Sequence, residues 1–441
     1  MRILSTLILV LCATAGVYAQ QPSADNANAC VGELINASEY ITLSRELPSL
    51  RDKLSKPLLA LADAITAYHE GRFEDSNRAI DKVGEFAPEL GGEVIFGMQN
   101  LALVNFLSLE DYKSALGVVQ LLLLSLPEDD SAHDSRRNLE SMSRWFSAMA
   151  TRPTVEVERP KSDVVIPVEI RKMGEGEHII VDVKVGDNVE DFIFDTGCMN
   201  ANFISTAAAE RLGVEIIADD ILIRGVEEGY AKLGVLLEMH IGDVVIRNTT
   251  FFVVDKIVPE NVEVEGLCEA VLGTHVIRKL GEVRFERDGE RLVLPAEESV
   301  APAERNLFFD SQYYICCQDG QERNVMQFDT GNTKTLLSSR YYNRFQQRVE
   351  QSGGEVERSR SGGFGGVEWR DTRTMPEVEF VVGATAVQLK KVAVNMPIKY
   401  EDGEPFVEQY DGVAGVDLLS ATDVVTFDLK RMFYRIDKSD K

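Results

Sequence analysis

Apolar and polar positions divide the chain into two textures. From residue 20 to about 150, apolar and small residues recur three and four apart, the spacing of one face of a helix. LADAITAYHEGRFEDSNRAIDKVGEF (61–86) is broken at Gly71 and resumes at Phe73, and QNLALVNFLSLEDYKSALGVVQLLLLSL (99–126) repeats the theme around Tyr112. Phe73 and Tyr112 lie 39 residues apart, each opening a second helix after a short acidic turn. Helix pairs of this kind resemble tetratricopeptide repeats, whose usual period is ~34; a plain helical bundle accounts for the pattern as well. SLPEDDSAHDS (125–135) interrupts it before a last helix near 136–150.

The second texture starts after a polar, proline-containing stretch, residues 151–162, read as a linker. VVIPVEI, HIIVDVKVGD and VEDFIFDTG are short runs of Val, Ile and Phe separated by Gly-Asp turns, the mark of strands. A further polar stretch, 297–305, is read as a second linker, after which NLFFDSQYYICC resumes the β pattern as far as MFYRID. The expectation is therefore a helical domain (20–150) followed by two β lobes, 163–296 and 306–438.

The two β regions follow one plan. Each runs an apolar strand into Asp-Thr-Gly, passes through a glycine-containing stretch, and closes on an apolar pair followed by Gly, a helix and a strand. Asp195 and Asp329 are 134 residues apart, and the closing Gly273 and Gly415 are 142 apart. A carboxylate at the end of a buried strand is costly unless something holds it. Two such carboxylates in matching frames call for one explanation.

FIFDTG (192–197) and MQFDTG (326–331), each with a downstream Val271-Leu272-Gly273 or Val413-Ala414-Gly415, resemble the aspartic proteases, in particular the retropepsin-like branch, over residues 163–438. The resemblance implies a mostly β, bilobal acid-protease fold, here preceded by an all-α domain. It also implies an exported peptidase whose catalytic pair is Asp195 and Asp329, one from each lobe. Thr196 and Thr330 would then hydrogen-bond across the axis to the opposite loop, and Gly197 and Gly331 would leave room for amide donors. Gly273 and Gly415 would let the later strand pass close behind each loop. A hairpin covering the cleft is implied too: IRGVEEGYAKLG (223–234), with Gly229 and Tyr230, in the first lobe, and SGGFGGVEWRD (361–371), with Phe364 or Trp369, in the second. With two flaps the chain would resemble a fused retroviral-type dimer. Cys198 and Asn332 depart from the Ser or Ala usual in the family after the motif. The segment from Gly197 to Ser205 is one residue longer than that from Gly331 to Ser338, so an asymmetric cleft is expected.

Composition narrows the picture further. The 441 residues suffice for two or three domains, and a formal net charge of −26 argues against nucleic acid or an anionic membrane surface as the main partner. MRILSTLILVLCATAGVYAQ has a basic start, an apolar run too short to span ~30 Å, and small residues before Ala19. It reads as an export signal over 1–19 rather than a membrane anchor or a lipoprotein signal. The expected location is the bacterial periplasm or the cell exterior, with no integral membrane span. Five cysteines beyond Cys12 make no disulfide framework, and a Cys198–Cys268 pair is not expected. Cys198 reads as a small semi-buried thiol, and Cys316 and Cys317 should point to opposite faces of a strand. The five histidines lack metal-ligand spacing, so no metal or cofactor is expected. Neither a Gly-x-Ser-x-Gly elbow nor a Walker-type loop occurs. The expected partners are a peptide or protein substrate and, through the helical domain, a protein partner. A catalytically silent peptide-binding protein is the alternative, and an intermolecular pairing of half-sites is a third arrangement.

Overall fold

The computed structural model describes residues 25–127, 129, 132–173, 176–225, 228–257, 268–352, 354–363, 366–398, 406 and 408–437. The export signal read over 1–19 and the flap residue Phe364 lie outside the described residues. The chain forms two compact units: the segment up to Pro153 together with Phe308–Ser311, and Thr154–Leu307 together with the chain from Gln312 onward.

The first unit is helical: α1 Asp25–Asn36, α2 Tyr40–Leu50, α3 Lys56–His69, α4 Phe73–Gly84, α5 Ala87–Leu90, α6 Gly92–Ser108, α7 Tyr112–Ser125 and α8 His133–Met149. The α3–α4 and α6–α7 turns are two copies of one design. Gly71 (φ 70°) and Glu110 (φ 57°) both take the left-handed conformation. The next amide then reaches back to the helix it leaves, Arg72 N to Ala67 O at 2.8 Å and Asp111 N to Phe106 O at 2.9 Å. This cap satisfies carbonyls that a helix end leaves orphaned. It turns the chain so that Phe73 and Tyr112, first in α4 and α7, are buried. Phe308–Ser311, remote in sequence, completes this unit. The Phe309 ring meets Tyr68 and Phe73 edge-on at 5.3 and 5.1 Å, and its carbonyl accepts from His69 Nδ1 at 2.7 Å. Burial lowers the His69 pKa, which keeps the imidazole neutral.

The second unit is β-rich. Its first half contains β1 Glu156–Glu158, β2 Val164–Met173, β3 Gly176–Val185, β4 Asn188–Phe194, β5 Phe203–Ser205, β6 Glu215–Arg224, β7 Glu228–Ile241, β8 Val244–Val254, β9 Ala270–Leu272, β10 Val283–Glu286 and β11 Arg291–Leu294. Its second half contains β12 Leu307–Phe309, β13 Tyr313–Asp319, β14 Glu322–Phe328, β15 Leu336–Leu337, β16 Val356–Gly363, β17 Gly366–Val382, β18 Thr385–Asn395, β19 Gly412–Ala414, β20 Val424–Asp428 and β21 Phe433–Asp437. The halves repeat one pairing scheme. β4 runs parallel to β9, with Phe194 beside Leu272, and β14 runs parallel to β19, with Phe328 beside Ala414. β5 and β15 each lie antiparallel to that closing strand and parallel to the next, β8 or β18. Parallel strands buried on both faces need continuous apolar runs, which is why Phe192, Ile193 and Phe194 are all buried. After β5 and β15 the chain enters a helix capped by serine: Ser205 Oγ accepts from Ala208 N, and Ser338 Oγ from Arg340 N and Tyr341 N.

Two features depart from the expected division. The stretch 151–162 is more than a linker, because β1 within it pairs with β8, Glu156 opposite Arg247. The two halves also share a sheet. β20 pairs with β10, Val283 opposite Phe427, so the end of the second half extends the sheet of the first. Beside this junction Arg431 bonds Asp428 and Glu282, each at 2.6 Å. Glu282 also accepts from the Ser299 hydroxyl at 2.7 Å, and both carboxylates are almost wholly buried. Buried charges of this kind need a partner; here each half and the connection between them supplies a part.

Candidate active site

Asp195 follows β4 and Asp329 follows β14, each anchored by its amide to the neighbouring parallel strand: Asp195 N to Leu272 O at 2.9 Å, Asp329 N to Ala414 O at 3.1 Å. The loop then folds its own N–H groups back onto the carboxylate. Asp195 Oδ1 accepts from Gly197 N at 2.7 Å and Cys198 N at 3.2 Å. Asp329 Oδ1 accepts from Gly331 N at 2.9 Å and Asn332 N at 3.1 Å.

Thr196 and Thr330, both fully buried, lock the loops together through four reciprocal bonds. Thr196 Oγ1 donates to Phe328 O at 2.9 Å and accepts from Thr330 N at 3.0 Å. Thr330 Oγ1 donates to Phe194 O at 2.6 Å and accepts from Thr196 N at 3.0 Å. A hydroxyl is used because it can donate and accept at once; valine, of the same shape, could do neither. The glycines make the close approach possible. A Cβ on Gly197 would overlap the Asp329 carboxyl group, and one on Gly331 would overlap that of Asp195. Each glycine thus makes room for the opposite loop's aspartate as well as donating to its own. Gly273 and Gly415 play a backing role, since a Cβ there would strike the Cys198 and Ala201 carbonyls, or the Asn332 carbonyl and Lys334 backbone.

The two carboxyl groups hydrogen-bond to one another and retain partial exposure, so solvent reaches them. Burial, the largest cause, raises both above the usual carboxylate range, Asp329 the more strongly, and the Asp195 charge adds to the shift at Asp329. Two acids this close do not ionise together easily, so the pair titrates as a unit and holds one proton over an intermediate pH range. Chemically, the site offers a base and an acid side by side, both partly exposed.

The structure therefore brings together Asp195, Thr196, Gly197, Asp329, Thr330 and Gly331. The hairpin residues are placed differently. β6 and β7 form a hairpin pairing Ile223 with Gly229 and Leu222 with Tyr230; β16 and β17 form its counterpart, pairing Arg360 with Trp369. Tyr230 is 56% and Trp369 52% exposed. Among the described residues, no hydrogen bond or ring contact links either side chain to the carboxyl pair. Trp369 instead lies under the Arg358 guanidinium, 5.9 Å from its ring centroid.

The departures after the motif also have physical accounts. The extra residue of the first loop is accommodated at Asn200, whose φ of 51° is left-handed, a conformation asparagine tolerates better than most residues. Its amide donates to Thr274 Oγ1 at 3.0 Å. Cys198 turns its thiol to Ala201 O at 3.4 Å, and burial pushes its pKa well up, which makes it a poor nucleophile. All five cysteines among the described residues are free; Cys268 lies 3.4 Å from Arg171 Nη1 instead of pairing with Cys198.

Sequence reading passed over two neighbours of the site. Gln327 donates from Nε2 to Asp329 Oδ2 at 3.2 Å; the signal was a lone polar residue in MQF where the first copy has Ile193. His178 hydrogen-bonds the Thr330 backbone, and burial lowers its pKa; nothing in its sequence context marked it.

No family model and no curated protein matches the chain. Solved structures with partial likeness include an aspartic proteinase from Irpex lacteus (12% identity, 63% of this chain and 98% of that chain, TM-score 0.39). Basic 7S globulin from soybean is another (13%, 64% and 96%, TM-score 0.37). A third is a retropepsin-like aspartic protease from Rickettsia conorii (17%, 32% and 94%, TM-score 0.22). Likeness at this level assigns no activity; the residues of the site have to carry that argument.

Proposed function

We propose that the chain is an aspartic endopeptidase that hydrolyses peptide bonds through a water held by Asp195 and Asp329. The observation that carries this reading is the carboxyl pair: hydrogen-bonded together, raised in pKa by burial, and clamped by the reciprocal Thr196–Thr330 bonds. In the singly protonated pair the ionised carboxylate accepts a proton from water as its oxygen attacks the peptide carbonyl carbon. The protonated carboxyl donates toward the carbonyl oxygen, where negative charge develops. Collapse of the tetrahedral intermediate then breaks the C–N bond, with a proton from the pair passing to the leaving nitrogen. The protein's contribution is preorganisation, since amides and hydroxyls already hold the carboxyls at rest. In this reading the protein is exported to the periplasm or the cell exterior by the segment read over 1–19, and the β6–β7 and β16–β17 hairpins close over the substrate.

Substituting either aspartate tests the reading. D195N and D329N should each lower kcat/KM on a peptide library by about 10³-fold or more, with folding retained. A parent that binds peptides but cleaves none from acidic to neutral pH would instead be the peptide-holding alternative. Stability supplies a second readout. Because both folded pKa values lie above that of a free carboxylate, ~4, the stabilisation from burying the neutral pair is complete below that value. It is lost as pH rises through the folded values. The D195N/D329N double variant should therefore gain in thermal midpoint over the parent as pH rises from acidic to neutral.

A further inference from the structure

The own-loop amides around the two carboxyl groups match, but their side-chain donors do not. Each Oδ1 takes two amides from its own loop. Asp329 Oδ2 takes a side-chain donor as well, the Gln327 carboxamide at 3.2 Å. The matching residue of the first copy is Ile193, which has no donor. The correspondence is fixed by register: Ile193 pairs with Val271 in the parallel β4–β9 ladder, Gln327 with Val413 in β14–β19. Gln327 stands two positions before Asp329, so both side chains leave the same face of the strand. The opposite face carries Met326 and Phe328, both fully buried. A polar side chain beside a buried strand end is therefore spent on the carboxyl pair.

Resting on the peptidase reading, we infer that Gln327 is a positioning residue that makes the pair unequal. Its amide holds the Asp329 carboxyl plane through the second oxygen and stabilises negative charge there. Asp195 is held by backbone amides, that of Gly331 in the opposite loop included, and by its twin. A donor to a carboxylate favours the ionised form, so Gln327 holds the pair's apparent pKa values below what burial and mutual repulsion would set. The two halves, alike in loop geometry, thereby acquire different chemical characters.

Q327M keeps the length of the side chain and removes the donor. The expected result is a shift of at least one limb of the kcat/KM pH profile to higher pH, by about half a unit to one unit. At acidic pH, where the pair is fully protonated, the thermal midpoint should be nearly unchanged; at neutral pH it should fall slightly, as the raised folded pKa requires. Q327L serves if Q327M fails to fold. Infrared titration of the carboxyl bands, read as the difference between the parent and D329N, follows the same ionisation without turnover. If the parent cleaves peptides and neither the profile nor the infrared titration moves in the variant, the positioning role is overturned. If the parent shows no aspartate-dependent cleavage but the infrared titration shifts, the peptidase reading falls and the positioning role stands.

Discussion

The two β halves use the same opening hairpin for different ends. In the first, β2 and β3 pair Met173 with Gly176, and this hairpin reaches the second loop: a Cβ on Gly176 would overlap the Thr333 side chain. His178, two residues further on, hydrogen-bonds the Thr330 backbone. In the second half the equivalent turn between β12 and β13 falls at Phe308–Ser311, which belongs to the helical unit. There Phe309 fills the space between Tyr68 and Phe73, and Ser311 N donates to Tyr68 Oη at 3.1 Å. The same contrast recurs at the carboxyls, where Gln327 stands against Ile193, and in the loops, where Asn200 is the extra residue. The central strands and the loops that carry the aspartates follow one scheme; the peripheral connections differ. Two halves of one scheme can differ where the chain leaves the shared frame, because the reciprocal threonine bonds demand the same geometry from both loops.

Breaking the junction between the halves should have the largest effect on stability. R431A would leave Glu282 and Asp428 buried without their cation. It should cost about 3–5 kcal/mol, measured by chemical denaturation, and a cost under 1 kcal/mol would mean that the Arg431 network adds little to the shared sheet and the threonine bonds. Next come the threonines. T196V and T330V each strand a buried carbonyl and a buried amide of the opposite loop. Each should cost about 1–3 kcal/mol, and nearly the same amount if the grip is as symmetric as its distances. A clear inequality would mean that one half depends on the other more than the reverse. The smallest effect is expected at the extra residue. N200A should lose about 1 kcal/mol from the left-handed backbone, and N200G should not.

Much of this was readable along the chain. Alternating and continuous apolar runs marked the strands, the helical spacing around Phe73 and Tyr112 marked the repeated turn, and Asp195 and Asp329 stood out as charged ends of apolar strands. These features are local: side-chain periodicity and turn chemistry act over a few residues, and each leaves its own trace in residue order. Glu110 shows where local reading weakens, because only the matching cap at Gly71 explains a glutamate with positive φ.

The remaining features depended on segments far apart in sequence. The Arg431 network, the pairing of β20 with β10 and the burial of Phe309 among helices join residues more than a hundred positions apart. So do the hydroxyl bonds between Thr196 and Thr330. Residue order determined that two acidic strand ends exist in equivalent frames. Tertiary structure decided that the two carboxyl groups meet and that Asp329 takes a side-chain carboxamide besides its loop amides, because strand register and burial are set by the whole sheet rather than by any single segment of it.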